Sequence, residues 1–543
     1  MSELTQYHIQ RLGALRGDRG NFNAQWEEGA ALVLPSHRDS FLSGQGGVPA
    51  MQGQKKTESQ FDATAALALM RFASVIESLA TPQGSIWHGL APVDKLLKRN
   101  RAVRMYFDDL NDALFAQRYS PKANFVGNSQ QVYLGLGAYG NGIIFTDQPE
   151  QGKGLRYRNI HLGEAYFVEN HAGIIDTLYR PFFLTATQVV QKYGAAAPES
   201  IQKAAAQPGQ ADNKYEILHC VYPRDGYDPG RLDAAGMPFA SVTIAVGDQT
   251  VMRESGYATF PYGVSRYTQS PGELYGRGPT QFVLPSIKTL NQQKHDVLKQ
   301  GHRILDPVLL SHDDGNLGSF SMKSGALNPG GMSKDGKPLV GVLPTGNLAV
   351  GDKMMEMERT LIHDAYLITL FQILVETPQM TATEVLERAR EKGMLLAPTA
   401  GRMQAEFLGP LIERELDVLG RQGLLPPLPG VLQGQQGVEY TIEYTSPMSR
   451  MQRSEKAAGF MRALDVASAY AKNTQDMSPL DFFNFDTAMP EVLDIYGSPT
   501  AWTRTMEEVQ QVRDGRAKQQ EQQQMLQAAP AMASVVKGAP KQG

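Results

Sequence analysis

From Gln60 to Leu79, apolar residues recur mostly at three- and four-residue intervals, and Ala65, Leu69, Phe72, Val75, Ile76 and Leu79 trace one stripe. This spacing predicts an amphipathic helix, ended by Thr81-Pro82. Residues 1–60 carry shorter helical pieces and a polar, Gly-rich loop from Ser43 to Lys56. A second helix is predicted around Arg101 to Gln117. From Tyr133 to Phe145 the chain leads into a region of alternating pattern that reaches about residue 262. Leu155 to Ile160, Glu216 to Tyr222 and Phe239 to Val246 read as strands there. The first 279 residues are therefore α+β.

After Gly276-Arg277-Gly278-Pro279 a helical pattern runs to Leu305 and carries Lys288, Lys294, Lys299, His302 and Arg303 against the lone acid Asp296. This predicts a helix with a basic face. Asp306 to Gly351, dense in Gly, Pro, Ser and Asn with a strand-like Pro338 to Leu343, reads as a compact insertion between two helices. Met354 to Glu376 is helical and turns apolar on all sides towards its end, the pattern of a helix packed all round; Thr377-Pro378 stops it. Thr381 and Glu384 have capping-box spacing at the start of another helix, which runs to Lys392 with Gly393 as its stop. Met403, Phe407, Leu411, Ile412, Leu416 and Leu419 form a further stripe, in which Pro410 is expected to introduce a kink. Leu424 to Pro429 reads as a linker and Tyr440 to Tyr444 as one returning strand. Three more helices are predicted after it, two of them opened by Ser478-Pro479 and Ser498-Pro499. The polar, then Ala-rich tail from Lys518 is expected to be disordered.

A chain of 543 residues exceeds what one hydrophobic core supports, so several domains are expected. Its 42% hydrophobic and 20% charged residues are those of an ordinary globular protein. With a net charge of −4 there is no excess of cations to neutralise many phosphates, which argues against a tight free-standing DNA binder. The single cysteine, Cys220, excludes an intrachain disulfide framework and multi-cysteine metal sites; a buried, inert thiol made in a reducing cytoplasm is expected. Met1 to Gly20 shows no secretory or transit pattern. The most apolar run, Ala365 to Val375, is about half the roughly 20 residues of a spanning helix, so no membrane span is predicted.

No catalytic group, metal site or cofactor is predicted. Gly135-Leu136-Gly137-Ala138-Tyr139-Gly140 matches a dinucleotide fingerprint in letters, but a strand follows where the motif needs a helix, and a Gly-rich turn is expected. Gly331 to Lys337 resembles a phosphate loop, yet Pro338 stands where a hydroxyl is needed. The histidines are scattered, no nucleophile elbow occurs, and Asp313-Asp314-Gly315-Asn316 is too short for a calcium loop. Asp108, Asp109 and Asp112 leave open a nuclease reading, against a solvated helix face. The basic helix is the feature most open to function: in one isolated chain it would be a solvated face, whereas in a closed ring each lysine becomes a positive band around an axis.

Three stretches carry a family resemblance. Tyr275-Gly276-Arg277-Gly278-Pro279 with Ile287-Lys288-Thr289-Leu290-Asn291, then Met380-Thr381-Ala382-Thr383-Glu384-Val385 with Arg388, and Asp62-Ala63-Thr64-Ala65 through Trp87 are similar to stretches of the portal (head-to-tail connector) proteins of short-tailed bacteriophages. The resemblance implies a multi-domain α+β portal fold. Its parts would be a wing (1–279, with a return at 430–449), two stem helices (280–305 and 352–375) flanking an α/β clip (306–351), and a tunnel loop (376–380). A long kinked tunnel helix with its continuation (381–429), a helical crown (450–527) and a disordered tail (528–543) would complete it. It further implies a dodecameric ring at one capsid vertex of the virion, assembled in the host cytoplasm, through which double-stranded DNA enters and leaves. The implied partners are the large subunit of the terminase motor, the major capsid and scaffolding proteins, and a tail adaptor. Lys288, Lys294, Lys299 and Arg303, with Arg388 and Arg390, are channel candidates; Glu376, Thr377, Pro378, Gln379 and Met380 would form the collar. A nuclease or another capsid or tail adaptor protein is the alternative.

Overall fold

The computed structural model describes residues 3–41, 53–231, 233–311, 321–323, 326–329, 331–343, 348–369, 398–432, 439–445, 447–476, 478–495, 504, 508–516 and 518–519. The chain divides into two compact units, residues 1–380 with 395–446, and residues 381–394 with 447–543.

The first unit opens with α1 (Glu3–Asp18) and α2 (Gly20–Val33), longer than the pieces the pattern suggested because polar Thr5 and His8 share the buried face of α1 with Leu12 and Leu15. Next come α3 (Thr64–Ala80), β1 (His88–Pro92), α4 (Lys95–Arg99), α5 (Arg101–Arg118) and α6 (Phe125–Tyr139). The strands β2 (Asn141–Asp147), β3 (Arg156–Asn159), β4 (Tyr166–Glu169) and β5 (Ile175–Thr185) follow. After α7 (Ala186–Tyr193) and α8 (Glu199–Ala205) come β6 (Lys214–Pro223), β7 (Phe239–Ala245), β8 (Thr250–Tyr257) and β9 (Tyr262–Arg266). A long helix, α9 (Pro279–Leu305), leads to β10 (Leu309–Ser311) and β11 (Val340–Val342), which pair antiparallel, and then to α10 (Leu348–Ala365). A π-helical turn (Gln404–Leu408), α11 (Gly409–Arg421) and β12 (Tyr440–Tyr444) complete the unit.

Strands β4 to β8 form a five-stranded antiparallel meander in sequence order. Period-two alternation gives it two different faces. One packs Phe182, Ile217, Ala245 and Met252 against Ala186, Val189 and Ile201 of α7 and α8. The other packs Tyr179, Leu218, Cys220, Val242 and Ile244 against Leu12 and Leu15 of α1. Burial pushes the Cys220 thiol pKa well up, so it is an inert core side chain. A second sheet has the order β3-β2-β9, and β12 returns to pair residue by residue with β1, from His88↔Tyr444 to Pro92↔Tyr440.

The Gly-rich stretch at residues 135–140 is not the loop turn that its letters suggested. It is the last turn of α6, closed by Gly140 in the left-handed region at φ 75°. A Cβ on Gly137 would lie 2.5 Å from Leu69 Cδ1, and one on Gly140 would lie 2.4 Å from the Gly278 nitrogen. The glycines thus admit α3 on one side and the backbone of Gly276-Arg277-Gly278 on the other. Asn141 bridges this crossing, accepting from the Gly276 N–H (2.8 Å) and donating to its carbonyl (3.0 Å). Gln281 accepts from the Gly278 N–H (2.7 Å) and donates to the Ala138 carbonyl (2.9 Å), and Thr280 donates to Gly137 (2.8 Å). The start of α9 is therefore tied to the end of α6.

The segment from Gln404 to Arg421 is clamped by buried charge pairs. Arg266 of β9 donates from Nε (2.8 Å) and Nη2 (2.9 Å) to Glu406. Arg414 donates to the Thr146 carbonyl (3.1 Å), Asp147 (3.0 Å) and Asp417 (2.8 Å). Glu415 pairs with Arg118, both side chains 0% exposed, and accepts from Tyr157 Oη at 2.5 Å. Burial alone would lower the Arg118 pKa; the Glu415 carboxylate outweighs it and the net shift is upward. Pro410 does not simply kink this helix. Its missing N–H and its ring disrupt one turn, and the chain widens instead, with the Gly409 N–H reaching the Gln404 carbonyl.

Three further expectations are corrected. The helix expected from Met354 to Glu376 begins earlier, at Leu348, and breaks at Tyr366-Leu367, where Leu367 adopts φ 61°. Tyr366 turns inward there to hydrogen-bond Thr280 Oγ1 at 2.7 Å. In the second unit, α12 (Pro447–Thr474) is followed by only a short 3₁₀ turn at Ser478–Phe482; the helix proper, α13 (Phe485–Ile495), starts after Asn484, whose side chain accepts from the Thr487 N–H. Phe460, Phe483 and Phe485 cluster between them. The capping box at Thr381, the run to Lys392 and Ser498-Pro499 lie outside the described residues, as do most of the tail from Lys518 onward.

Gly140→Ala combines positive-φ strain with a backbone clash and is expected to lower stability by about 2–4 kcal/mol, whereas Gly173→Ala, at φ 76° with nothing within 4 Å, should lose only about 1 kcal/mol. Denaturation midpoints of the two variants provide the comparison. Glu415→Ala leaves Arg118 buried and unpaired, with an expected loss of about 3–5 kcal/mol, and the double change Arg118→Met/Glu415→Leu should lose clearly less. Burial holds His37 (about 4), His161 (about 3) and His219 (about 3) below their ordinary value of 6.5. The native state keeps them neutral while the unfolded chain takes up protons, so stability is full above about pH 6.5 and falls as pH drops towards those values. The slope is up to about 1.4 kcal/mol per pH unit for each histidine, readable from denaturation at stepped pH.

Candidate nucleic-acid interface

The candidate interface is the outward face of α9. The helix starts with Pro279 at its first turn and is seated through Ile287 and Leu290, 4% and 2% exposed. Asn291 fixes its middle: its side-chain oxygen accepts from the N–H groups of Phe61 (2.7 Å) and Asp62 (3.2 Å), and its amide donates to the Ser59 carbonyl (2.9 Å). Asp62 in turn caps α3 by accepting from Thr64 N–H at 2.8 Å and pairs with Arg359 of α10 at 3.2 Å. Sequence reading singled out Asp62 and Asn291 only as letters within separate stretches. The structure brings those stretches together, so their signal is a packing junction that holds α3, α9 and α10 in one arrangement.

At about 100° per residue, Lys288, Lys299 and Arg303 fall within roughly 60° of one another around α9, while Lys294 lies about 120° away from Lys288 on the other side. Lys294 is half-buried, on the side of Ile287 and Leu290, and the expectation that it shares the basic face is corrected. Lys288 is exposed but forms an ion pair with Glu28 of α2. Asp296 lies on the basic side as well, where Gln292 hydrogen-bonds its carboxylate (3.0 Å) and holds its pKa below the ordinary range. Lys299 and Arg303, both exposed, carry the rest of the positive charge of this face, and Lys299 acts on Asp296. Arg388, Arg390 and Glu376, Thr377, Pro378, Gln379 and Met380 lie outside the described residues.

Asp108, Asp109 and Asp112 sit on the exposed side of α5. Burial raises the Asp108 pKa, and Asp112 and Asp109 add to the shift while Arg104 opposes it. Among the described residues, no group of three or more His, Cys, Asp or Glu side chains is arranged to hold a metal ion. No helix of the described residues is long and apolar enough to cross a membrane.

Two curated relatives span nearly the whole chain. The portal protein of Salmonella phage epsilon15 is 25% identical over 539 residues, covering 97% of this chain and 92% of its own. The probable portal protein of Bordetella phage BPP-1 is 26% identical over 537 residues, covering 96% and 93%. Among solved structures, a chain from the neck of an empty GTA particle computed with C6 symmetry covers 75% of this chain and 89% of its own at 11% identity and a TM-score of 0.33, a likeness too slight to bear on the fold. The family model described as bacteriophage head to tail connecting protein matches residues 5–503, and with the mixed helix-and-sheet fold that those residues adopt, the chain belongs to that family of structural connectors.

Proposed function

We propose that this chain is the portal subunit of a short-tailed bacteriophage, and that many copies, twelve on the family resemblance, close into a ring at one capsid vertex of the virion. Double-stranded DNA passes through the ring during packaging and again during ejection. The single observation that carries this reading is the family match across residues 5–503, which leaves no large part of the chain to another activity. The order of elements supports it: a mixed body, a long helix, a small two-stranded insertion and a returning helix. In this reading residues 1–279 with 430–449 are the wing, α9 and the region 352–375 are stem helices, 306–351 are the clip, 376–380 the tunnel loop, 381–429 the tunnel helix and its continuation, and 450–527 the crown. Terminase, the major capsid and scaffolding proteins, and later a tail adaptor are the partners.

A duplex that must slide has to be confined without being held. Each phosphate contact deepens binding and steepens its salt dependence, so a net charge of −4 with a few exposed cations per subunit suits the task. Repeated around an axis, Lys299 and Arg303 become two positive bands, with Lys288 restrained by Glu28. These bands would centre the duplex, and Arg388 and Arg390 would add to them beyond the collar.

Images of the purified full-length protein down its axis should show closed rings with a central opening wide enough for a duplex; a protein that remains monomeric at every concentration overturns the reading. With rings established, Lys299→Ala/Arg303→Ala should alter the length of DNA packaged per particle or the rate of its ejection while rings still form. Unchanged packaging and ejection would reject the role given to α9.

A further inference from the structure

A second concentration of positive charge lies away from α9, on the sheets of the first unit. Directly paired residues of adjacent strands share a face, and Arg180, His219, Thr243 and Arg253 are successive partners across β5, β6, β7 and β8. They form one row about 14 Å long, three strand spacings. Lys192 and Tyr193, at the end of α7, act on the same row: Thr243 is a neighbour that lowers the Tyr193 pKa, and the charges of Arg180, Lys192 and Arg253 all bear on His219. From the neighbouring sheet β3 contributes Arg156 and Arg158, both exposed on the side opposite the buried Tyr157.

The charges on this floor do not cancel. Arg180, 6% exposed, is held by Glu164 through Nε (3.2 Å) and Nη2 (2.9 Å) and lies against the Phe182 ring at 4.7 Å. Among the described residues, no carboxylate lies within 4.0 Å of the charged nitrogens of Arg156, Arg158, Lys192 or Arg253. Glu150 acts on Lys192, and Glu164 on Arg158, only at longer range. Burial lowers the pKa values of Arg158 and Lys192, and the positive charge of Arg180 lowers both further. His219 cannot relieve the crowding, because both its ring nitrogens are engaged at 2.9 Å, by Tyr262 Oη and Ser241 Oγ, and it stays neutral. Among the described residues, four cations without a carboxylate within ion-pair distance stand around a fixed, buried guanidinium, an arrangement that attracts an anion.

We propose that this floor is a second DNA-contacting surface of the connector, in which Arg156, Arg158, Lys192 and Arg253 hold successive phosphates of one strand while Arg180 and Glu164 fix its centre. A single carboxylate would use one or two of these groups. Four cations set around a row roughly 14 Å long suit a ligand that repeats its charge at short intervals, as a DNA strand does about every 3.4 Å of axis. Guanidinium forks, three of these four cations, match phosphate bidentately. The choice of DNA over an acidic protein segment rests on the reading that DNA meets this protein.

Binding of a short mixed-sequence duplex to the full-length chain, measured against salt concentration, tests the proposal. Arg158→Ala/Lys192→Ala/Arg253→Ala should make the slope of log K against log salt shallower by about 3, and Arg158→Lys alone should leave it unchanged. An unchanged slope in the triple variant overturns the site. Displacement of the duplex from wild type by poly-glutamate at matched charge would assign the surface to protein carboxylates and overturn it equally. Lys288→Ala/Lys299→Ala/Arg303→Ala is measured alongside: if only that variant flattens the slope, this surface fails while the channel reading stands. If only the sheet variant does so, the sheet surface holds and α9 loses its part.

Discussion

The buried ion pair between Arg118 and Glu415 is the constraint on which the first unit depends. It joins α5 to α11 across nearly three hundred residues of sequence, with both charges fully removed from water. Such a pair contributes little over apolar packing of the same shape, but it tolerates no displacement, since either charge left alone would be buried without compensation. Tyr157 of β3 adds its hydroxyl to Glu415, and the guanidinium of Arg118 lies 4.6 Å from the Trp87 ring centroid. One carboxylate thus sets the positions of a helix, a strand and the segment before β1. Arg266 with Glu406, about two turns before Glu415, and Arg414, beside it, with Asp147 repeat the device.

The same logic of fixed junctions governs α9. Gly140 and Gly278 let two backbones cross closer than any side chain would allow, and Asn141, Gln281 and Thr280 satisfy the polar groups that the crossing buries. Asn291 and Asp62 then hold the helix further along. A helix anchored at its start and middle carries Lys299 and Arg303 on its far half as a rigid lever, which is what a band of charge around an axis requires. The Gly-rich letters that mimic a dinucleotide fingerprint serve this crossing and not a phosphate.

Charge in this protein is modest in sum and concentrated in place. The α9 face and the sheet floor each gather cations that local acids only partly offset, within a chain of net charge −4. In the proposed ring, weak contact at each site, multiplied by copies, would give a surface that guides a polyanion without arresting it.

By itself the sequence determined the helices with long apolar stripes and clear stops, α3, α5 and α9, and the strands β3, β6 and β7, because period and punctuation are local properties. It also determined that the chain is mixed, multi-domain and without a catalytic motif, and it drew attention to the basic helix. The helical period already sets Lys294 apart from the other cations of that helix, and only the tertiary structure decided that its side, with Ile287 and Leu290, is the packed one. The break at Leu367 and the helical setting of residues 135–140 were equally out of local reach. Each arises from partners far along the chain: Thr280 for Tyr366, and Gly276 to Gly278 for Gly140. The cationic floor was invisible for the same reason, because Arg158, Arg180, Lys192 and Arg253 are scattered over about a hundred residues, and only strand pairing together with the packing of α7 and the second sheet makes them neighbours.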